Sequence, residues 1–418
     1  MGKTLELKRV VVTGMGVISP LGNTVNEFWQ NLLAGKNGID FITRFDANEY
    51  DTKFGGEVKD FQAEKYIDRK EARRMDLFTQ YAIAAAENAI KQAGLNFDNE
   101  NTERIGVIVS SGIGGMDTFE KQSRTLIERG PSRISPFFIP MLISNIAPGY
   151  ISIRYGLKGP NFSTVSACAS SSHAIGEAFR NLQRGDAEVM ICGGAEATIT
   201  PLGVSGFNAM KALSTRNDAP KKASRPFDKQ RDGFVMGEGA GIVVLESLEH
   251  ALNRGATILG ELAGVGYTAD AHHITAPAPG GEGAIRAMQK ALQDADTKPT
   301  EIDYINTHGT STPHGDAAET QAIKSVFGQH AYKLNINSTK SMIGHLLGAS
   351  GGVEFVVTAL TVKENLVHPT INHEEPDPQC DLNCTPNASM RREVRAAISN
   401  SFGFGGHNVS IVVKKYIS

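Results

Sequence analysis

Val165-Ser166-Ala167-Cys168-Ala169-Ser170-Ser171-Ser172-His173-Ala174-Ile175-Gly176-Glu177-Ala178-Phe179-Arg180-Asn181-Leu182 is followed, five residues on, by Glu188-Val189-Met190-Ile191-Cys192. Apolar residues at 175, 178, 179 and 182 keep the i, i+3, i+4, i+7 spacing of a helix face packed on a core. The Ser and Ala residues ahead of them supply a tight start with local capping oxygens. The apolar run after the helix reads as a buried strand. The same alternation extends in both directions. Further strands are expected at 10–13, 105–110, 240–245, 262–267, 302–307, 334–337, 396–399 and 409–413, and helices at 76–93 and 283–295. Strands alternating with helices argue for an α/β fold. A strand, a glycine turn, a long crossover and a small-residue helix occur once before about residue 250 and again after it. This weak repeat suggests two similarly folded halves, 1–250 and 251–418, joined near 249–255.

The chain has 418 residues, 40% of them hydrophobic and 21% charged, so it can bury an ample core. Lys and Arg total 42 against 45 Asp and Glu, a net charge of −3, which gives no global signature of nucleic-acid binding. Four cysteines do not make a disulfide framework, and a reducing compartment is the default. Cys192 reads as core; Cys380 and Cys384 sit in a Pro- and Asp-rich loop at a spacing unlike common zinc patterns. No apolar run approaches the ~18 residues of a membrane span, and the first strand begins too early to leave room for a signal peptide, so a cytoplasmic location is expected. Thr13-Gly14-Met15-Gly16 loosely resembles a dinucleotide loop but lacks the third glycine, and no phosphate-loop motif occurs.

Cys168 lies where the first turn of its helix begins. Free N–H groups and the positive end of the helix dipole there favour thiolate over thiol. The alternative is a buried structural cysteine. Ile302-Asp303-Tyr304-Ile305-Asn306-Thr307-His308-Gly309-Thr310-Ser311-Thr312-Pro313 reads as a strand ending in a turn, and strand carboxyl ends are where α/β folds handle ligands. The hydroxyls after His308 fit either a grip on a polar ligand arm or an ordinary turn. Lys340-Ser341-Met342-Ile343-Gly344-His345 leads into a helix whose only charge before Val362 is Glu354. A buried carboxylate needs a partner, and Lys340, in the loop entering that helix, is the nearest cation before it in sequence. A Lys340–Glu354 pair holding the loop of His345 is therefore expected. Phe402-Gly403-Phe404-Gly405-Gly406-His407 reads as a glycine-rich hairpin or as a close-approach backbone donor with Phe404 as a movable lid.

Taken in order, Ser166-Ala167-Cys168-Ala169-Ser170-Ser171, Thr307-His308-Gly309-Thr310-Ser311-Thr312-Pro313, Lys340 to His345 and Phe402 to Gly406 resemble the motif set of the β-ketoacyl-acyl-carrier-protein synthases. The similarity covers nearly the whole chain. Ile113 in Ser111-Gly112-Ile113-Gly114-Gly115 and the segment Arg133-Ile134-Ser135-Pro136-Phe137-Phe138 resemble the elongating, type II branch. The resemblance implies a thiolase-like fold, two pseudo-symmetric halves in an αβαβα five-layer sandwich, as a homodimer. It implies that Cys168 takes an acyl group from acyl carrier protein, and that His308 and His345 stabilise the enolate left when malonyl-carrier protein loses CO₂. Lys340 and Glu354 match the supporting pair. Phe404 matches the gate, and Ile113 the floor of the acyl pocket. Thr275, Thr310 and Thr312, with Phe402, match the lining of the phosphopantetheine arm. No cofactor or metal is implied beyond the arm that arrives on the carrier. The carrier is acidic, so Lys70, Arg73 and Arg74, expected on one helical face, together with Arg133 and Lys211, are the matching basic residues. A thiolase would be expected to carry a second cysteine where His407 stands, and an initiating synthase would resemble Cys-His-Asn rather than Cys-His-His. A non-catalytic chain-length-factor-like subunit would lack the nucleophile.

Overall fold

Strand β1 (Val10–Ile18) is buried along its whole length, so both of its faces and both of its edges are covered. In the computed structural model, which describes residues 6–417, it runs near the middle of a ten-stranded sheet. The other strands are β2 (Ile105–Ser110), β3 (Asn161–Phe162), β4 (Val189–Glu196), β5 (Gly239–Ser247), β6 (Gly260–Ala269), β7 (Tyr304–Asn306), β8 (Asn335–Asn337), β9 (Ala396–Gly403) and β10 (His407–Lys414). Their order is β8-β7-β9-β10-β6-β1-β5-β4-β2-β3.

The repeat suggested by the sequence is explicit in that order. From the centre outward the first five strands run β1-β5-β4-β2-β3 and the last five run β6-β10-β9-β7-β8. In each set the inner pairings are antiparallel and the outer two are parallel. The two sets are also hydrogen-bonded to each other, β1 to β6, through Val10–Leu262, Val11–Glu261 and Val12–Gly260. Two sheets thus become one continuous sheet.

Five helices complete the layers: α1 (Leu77–Ala93), α2 (Ser170–Arg184), α3 (Glu282–Asp294), α4 (Pro313–Phe327) and α5 (Ser350–Glu364). Helices α2 and α5 pack on one another between the halves, α1 covers the outer face of the first and α3 and α4 that of the second. Close packing sets their composition. A Cβ on Gly16 of β1 would sit 1.9 Å from the carbonyl of Ala85 in α1, which explains the glycines of β1 and the alanines opposite. Helix α5 is buried on nearly every side, which is why its sequence shows no polar stripe. The unanticipated strand β3 is two exposed residues on a sheet edge, too short to leave a pattern.

Candidate active site

Helices α2 and α5 begin alike. Each is preceded by a short 3₁₀ turn, Ala167–Ala169 and Leu347–Ala349, whose first residue takes a left-handed φ, +50° at Ala167 and +47° at Leu347. A side chain in that region costs roughly 1–2 kcal/mol, so the turns are held by other contacts. Around Cys168, the Ser166 N–H donates to Ser170 Oγ (2.9 Å), that hydroxyl donates to the Ala167 carbonyl (2.7 Å), and the Ala169 N–H donates to the Ser166 carbonyl (3.1 Å). At the equivalent point of the second half stands Gly348, where a Cβ would meet Gly112 N at 2.2 Å.

The turn aims Cys168 Sγ at His345 Nε2, 3.0 Å away. His345 Nδ1 lies 2.9 Å from Ser350 Oγ, the first residue of α5. With that hydroxyl donating, the ring hydrogen sits on Nε2, facing the cavity. The His308 ring stands edge-on to His345 at 5.4 Å and 87°. His308 follows β7, and its turn is fixed by Glu319 of α4, which accepts from the His308 N–H (2.9 Å) and the Gly309 N–H (2.8 Å). Both imidazoles are held well below the usual histidine range, first by burial and then by the charge of Lys340. They are neutral N–H donors at neutral pH.

Lys340 and Glu354 form a buried ion pair, each 1% exposed. The second contact of Lys340 differs from expectation: Nζ donates to the carbonyl of His308 at 2.7 Å. The pair thus fastens the His308 loop. Burial pushes Glu354 up to about 7 against the pull of Lys340.

The acidity expected for Cys168 is overturned. Its thiol is pushed up to about 11, first by burial, with Lys340 and the Phe404 N–H opposing and Glu196 adding to the rise. A helix dipole is worth about a kilocalorie per mole at a partly exposed site, and loss of water from a thiolate outweighs it here. The amides of Phe404 and Cys168 both face the sulfur. Gly403 lets them approach, since a Cβ there would lie 2.7 Å from the Ser166 carbonyl and 3.1 Å from Cys168 N.

These groups line a cavity of about 590 Å³ together with Thr275, Thr310, Thr312, Phe402, Phe404 and Lys211. Lys340 and Glu354 lie behind it. Ile113 is not among its lining residues. It packs in an apolar cluster with Phe207, Phe234 and Leu347, of which Phe207, Phe234 and Leu347 also form cavity wall. Lys70, Arg73, Arg74 and Arg133 are exposed and away from the cavity. The single helical face expected for the first three does not form. The helix is only Arg69–Ala72, and the Arg74 guanidinium instead stacks over Phe137 at 4.7 Å. Among the described residues no group of three or more His, Cys, Asp or Glu is placed to hold a metal ion.

Sequence reasoning missed Glu319, Ser350 and Phe234, whose ring meets His345 edge-on at 5.3 Å. Glu319 left a signal. Asp316, Glu319, Thr320, Ile323 and Phe327 form the buried stripe of α4, and two carboxylates on a core-facing stripe mark a polar task.

Models for the beta-ketoacyl synthase N-terminal and C-terminal domains match residues 7–251 and 259–374. The chain belongs to the β-ketoacyl synthase family. It is 57% identical over 412 residues to a 3-oxoacyl-[acyl-carrier-protein] synthase 2 of Synechocystis sp., covering 99% of each chain. A Staphylococcus aureus protein of the same description is 56% identical over 409 residues, covering 98% of this chain and 99% of the relative. Among solved structures, the ishigamide ketosynthase/chain length factor superposes with a TM-score of 0.93 at 34% identity, covering 98% of this chain and 100% of that one. A type II PKS acyl-carrier protein in complex with its ketosynthase bound to the hexaketide gives 0.91 at 35% identity, with the same coverage. The thiolase-like layering of this β-ketoacyl synthase, two matched halves around α2 and α5, is that of the family.

Proposed function

We propose that the chain joins an acyl group to a two-carbon unit from malonyl-acyl carrier protein, giving 3-oxoacyl-acyl carrier protein, CO₂ and free carrier protein in fatty-acid elongation. The observation that carries this reading is the 3.0 Å approach of Cys168 Sγ to His345 Nε2, beside a second neutral imidazole, in one cavity. The Cys168 sulfur attacks the thioester carbonyl of the acyl chain. The bond to the pantetheine sulfur breaks, a new C–S bond forms, and the thiol proton ends on the departing sulfur. The amides of Cys168 and Phe404 serve the oxyanion of that step. Malonyl-carrier protein then enters with its thioester oxygen toward His308 and His345. The bond to the carboxylate breaks, CO₂ leaves, and the electron pair becomes an enolate whose oxygen receives the two N–H groups. The enolate carbon attacks the acyl carbonyl, a C–C bond forms, the bond to Cys168 breaks, and the sulfur regains a proton from water. Removing one such donor typically costs ~10²–10³ in rate.

Thr275, Thr310 and Thr312 are suited to hold the phosphopantetheine arm, Phe402 to line it, Phe404 to gate it and Ile113 to shape the acyl end. Lys70, Arg73, Arg74, Arg133 and Lys211 are the docking residues for an acidic carrier. The active unit is a homodimer of chains with halves at 1–250 and 251–418, working in the cytoplasm without a bound cofactor. Exposed apolar side chains concentrate in residues 119–165, with Ile127 84% and Ile153 80% exposed beside Phe119, Ile139, Phe162 and Val165. The open edge of β3 lies within the same segment. A second copy covering this segment accounts for both.

The test is the intact mass of the protein after incubation with acyl-carrier protein. An added acyl mass on wild type and none on Cys168→Ala is expected; no adduct at any chain length removes the reading. His308→Ala and His345→Ala should still acylate but lose malonyl decarboxylation by ~10²–10³. Wild-type decarboxylation in both would sink their assignment.

A further inference from the structure

The backbone of His345 is fastened to the first half of the molecule through one five-residue segment, 234–238. Its N–H donates to the Val235 carbonyl (2.7 Å), and its carbonyl accepts from the Gly237 N–H (2.8 Å), a parallel bridge centred on Met236. Its ring packs edge-on against Phe234 of the same segment. On the other side, the segment pairs with Gly56: the Gly56 N–H donates to the Met236 carbonyl (2.8 Å), and the Glu238 N–H to the Gly56 carbonyl (3.2 Å). Three glycines make this stack tight. A Cβ on Gly56 or Gly237 would lie 2.3 or 2.4 Å from the Ile343 carbonyl, and one on Gly344 would lie 2.9 Å from the Val235 carbonyl. There is no slack in which the segment could shift without moving His345.

The segment ends in a fully buried carboxylate. Glu238, 0% exposed, is held by both terminal nitrogens of Arg44, by the Tyr81 hydroxyl donating at 3.1 Å, and by the Val58 N–H donating at 2.8 Å. The Arg44 guanidinium also donates to Tyr81 Oη at 3.0 Å. None of these side chains lines the cavity. Glu238 is buried and the Arg44 side chain is 31% exposed, and such a pair seldom stabilises a fold more than apolar packing of the same shape would.

We propose that Arg44, Tyr81 and Glu238 are positioning residues for His345: the bidentate clamp on Glu238 sets segment 234–238, which sets where Nε2 of His345 points. The proposal rests on the reading of His345 as a donor to the malonyl enolate. Remote misplacement of a reacting group by about 1 Å can cost about 10²-fold in rate, and lysine cannot reproduce the planar fork of arginine.

The experiment measures two steps separately in Arg44→Lys, Tyr81→Phe and Glu238→Gln: Cys168 acylation by acyl-carrier protein, followed by intact mass, and malonyl-carrier decarboxylation, followed by CO₂ release. Decarboxylation kcat should fall about 10- to 100-fold in Arg44→Lys and Glu238→Gln, and less in Tyr81→Phe, with KM and the acylation rate near wild type. Tyr81→Phe removes one hydroxyl and carries the test if the charge variants do not fold. Equal losses in both steps, or no loss in either, overturn the proposal. His345→Ala is run alongside. If it keeps wild-type decarboxylation, the assignment of His345 fails and takes the positioning role with it. If His345→Ala loses decarboxylation and the clamp variants do not, only the positioning role fails.

Discussion

Lys340→Met probes the buried pair through its dependence on pH. Burial raises the folded-state value of Glu354 to about 7 even with Lys340 beside it. Folding therefore favours its protonated form, and stability falls as pH rises from the ordinary carboxyl range to about 7. Without the cation the folded value moves further up. At about pH 6 both proteins carry mostly protonated Glu354, and this group contributes little to their difference. Above about 7 only the wild type has released its proton, so the variant loses ground by about 1.4 kcal/mol per pH unit, or about 2 kcal/mol by pH 8.5. Loss of the 2.7 Å bond from Lys340 Nζ to the His308 carbonyl adds about 1–3 kcal/mol at every pH. Urea midpoints of wild type, Lys340→Met and Lys340→Met/Glu354→Gln across this range measure both components. The slope should vanish in the double variant. A difference that is flat with pH, or a slope that persists without Glu354, would refute the reasoning.

Two further outcomes are expected. Iodoacetamide should alkylate Cys168 in the substrate-free protein at a rate that climbs roughly tenfold per pH unit between about pH 7 and 10, because burial holds the thiol up at about 11; a plateau near neutrality would mean that the helix dipole prevails after all. Lys70→Glu with Arg73→Glu should weaken carrier-protein binding more at low salt than at high, since exposed charges are screened over about 10 Å at 0.1 M. Equal affinity at low salt would remove these residues from the docking surface. Arg74, engaged with Phe137, is left out of that pair.

The features legible in the sequence are those written within a few residues. Strands 10–13, 105–110 and 240–245 announce themselves by apolar runs and lie within β1, β2 and β5. Cys168, His308 and His345 stand out because each sits where a strand ends or a helix begins. What escapes notice depends on enclosure or distance. The acidity of Cys168 is not legible because a dipole is local, whereas the burial that outweighs it depends on residues folded around the thiol from both halves of the chain. Ser350 and Glu319 are ordinary-looking residues until the fold sets them against a histidine. Arg44 and Glu238 are 194 positions apart, and nothing in either stretch announces the other.

The central place of β1 has a consequence for how the protein is made. Its first residue, Val10, pairs with Ser247 on one side and Leu262 on the other. Strand β1 thus has neither neighbour until β5 and β6, more than two hundred residues further on, have been synthesised. At ~5–20 residues per second that interval is roughly 12–50 s, in which a largely apolar ribbon has two unpaired edges. Helix α1, complete by residue 93, fits its alanines against Gly14 and Gly16 and can shield one face of the ribbon early. The nascent protein therefore depends on that helix, or on a chaperone, to keep β1 from aggregating until β5 and β6 arrive.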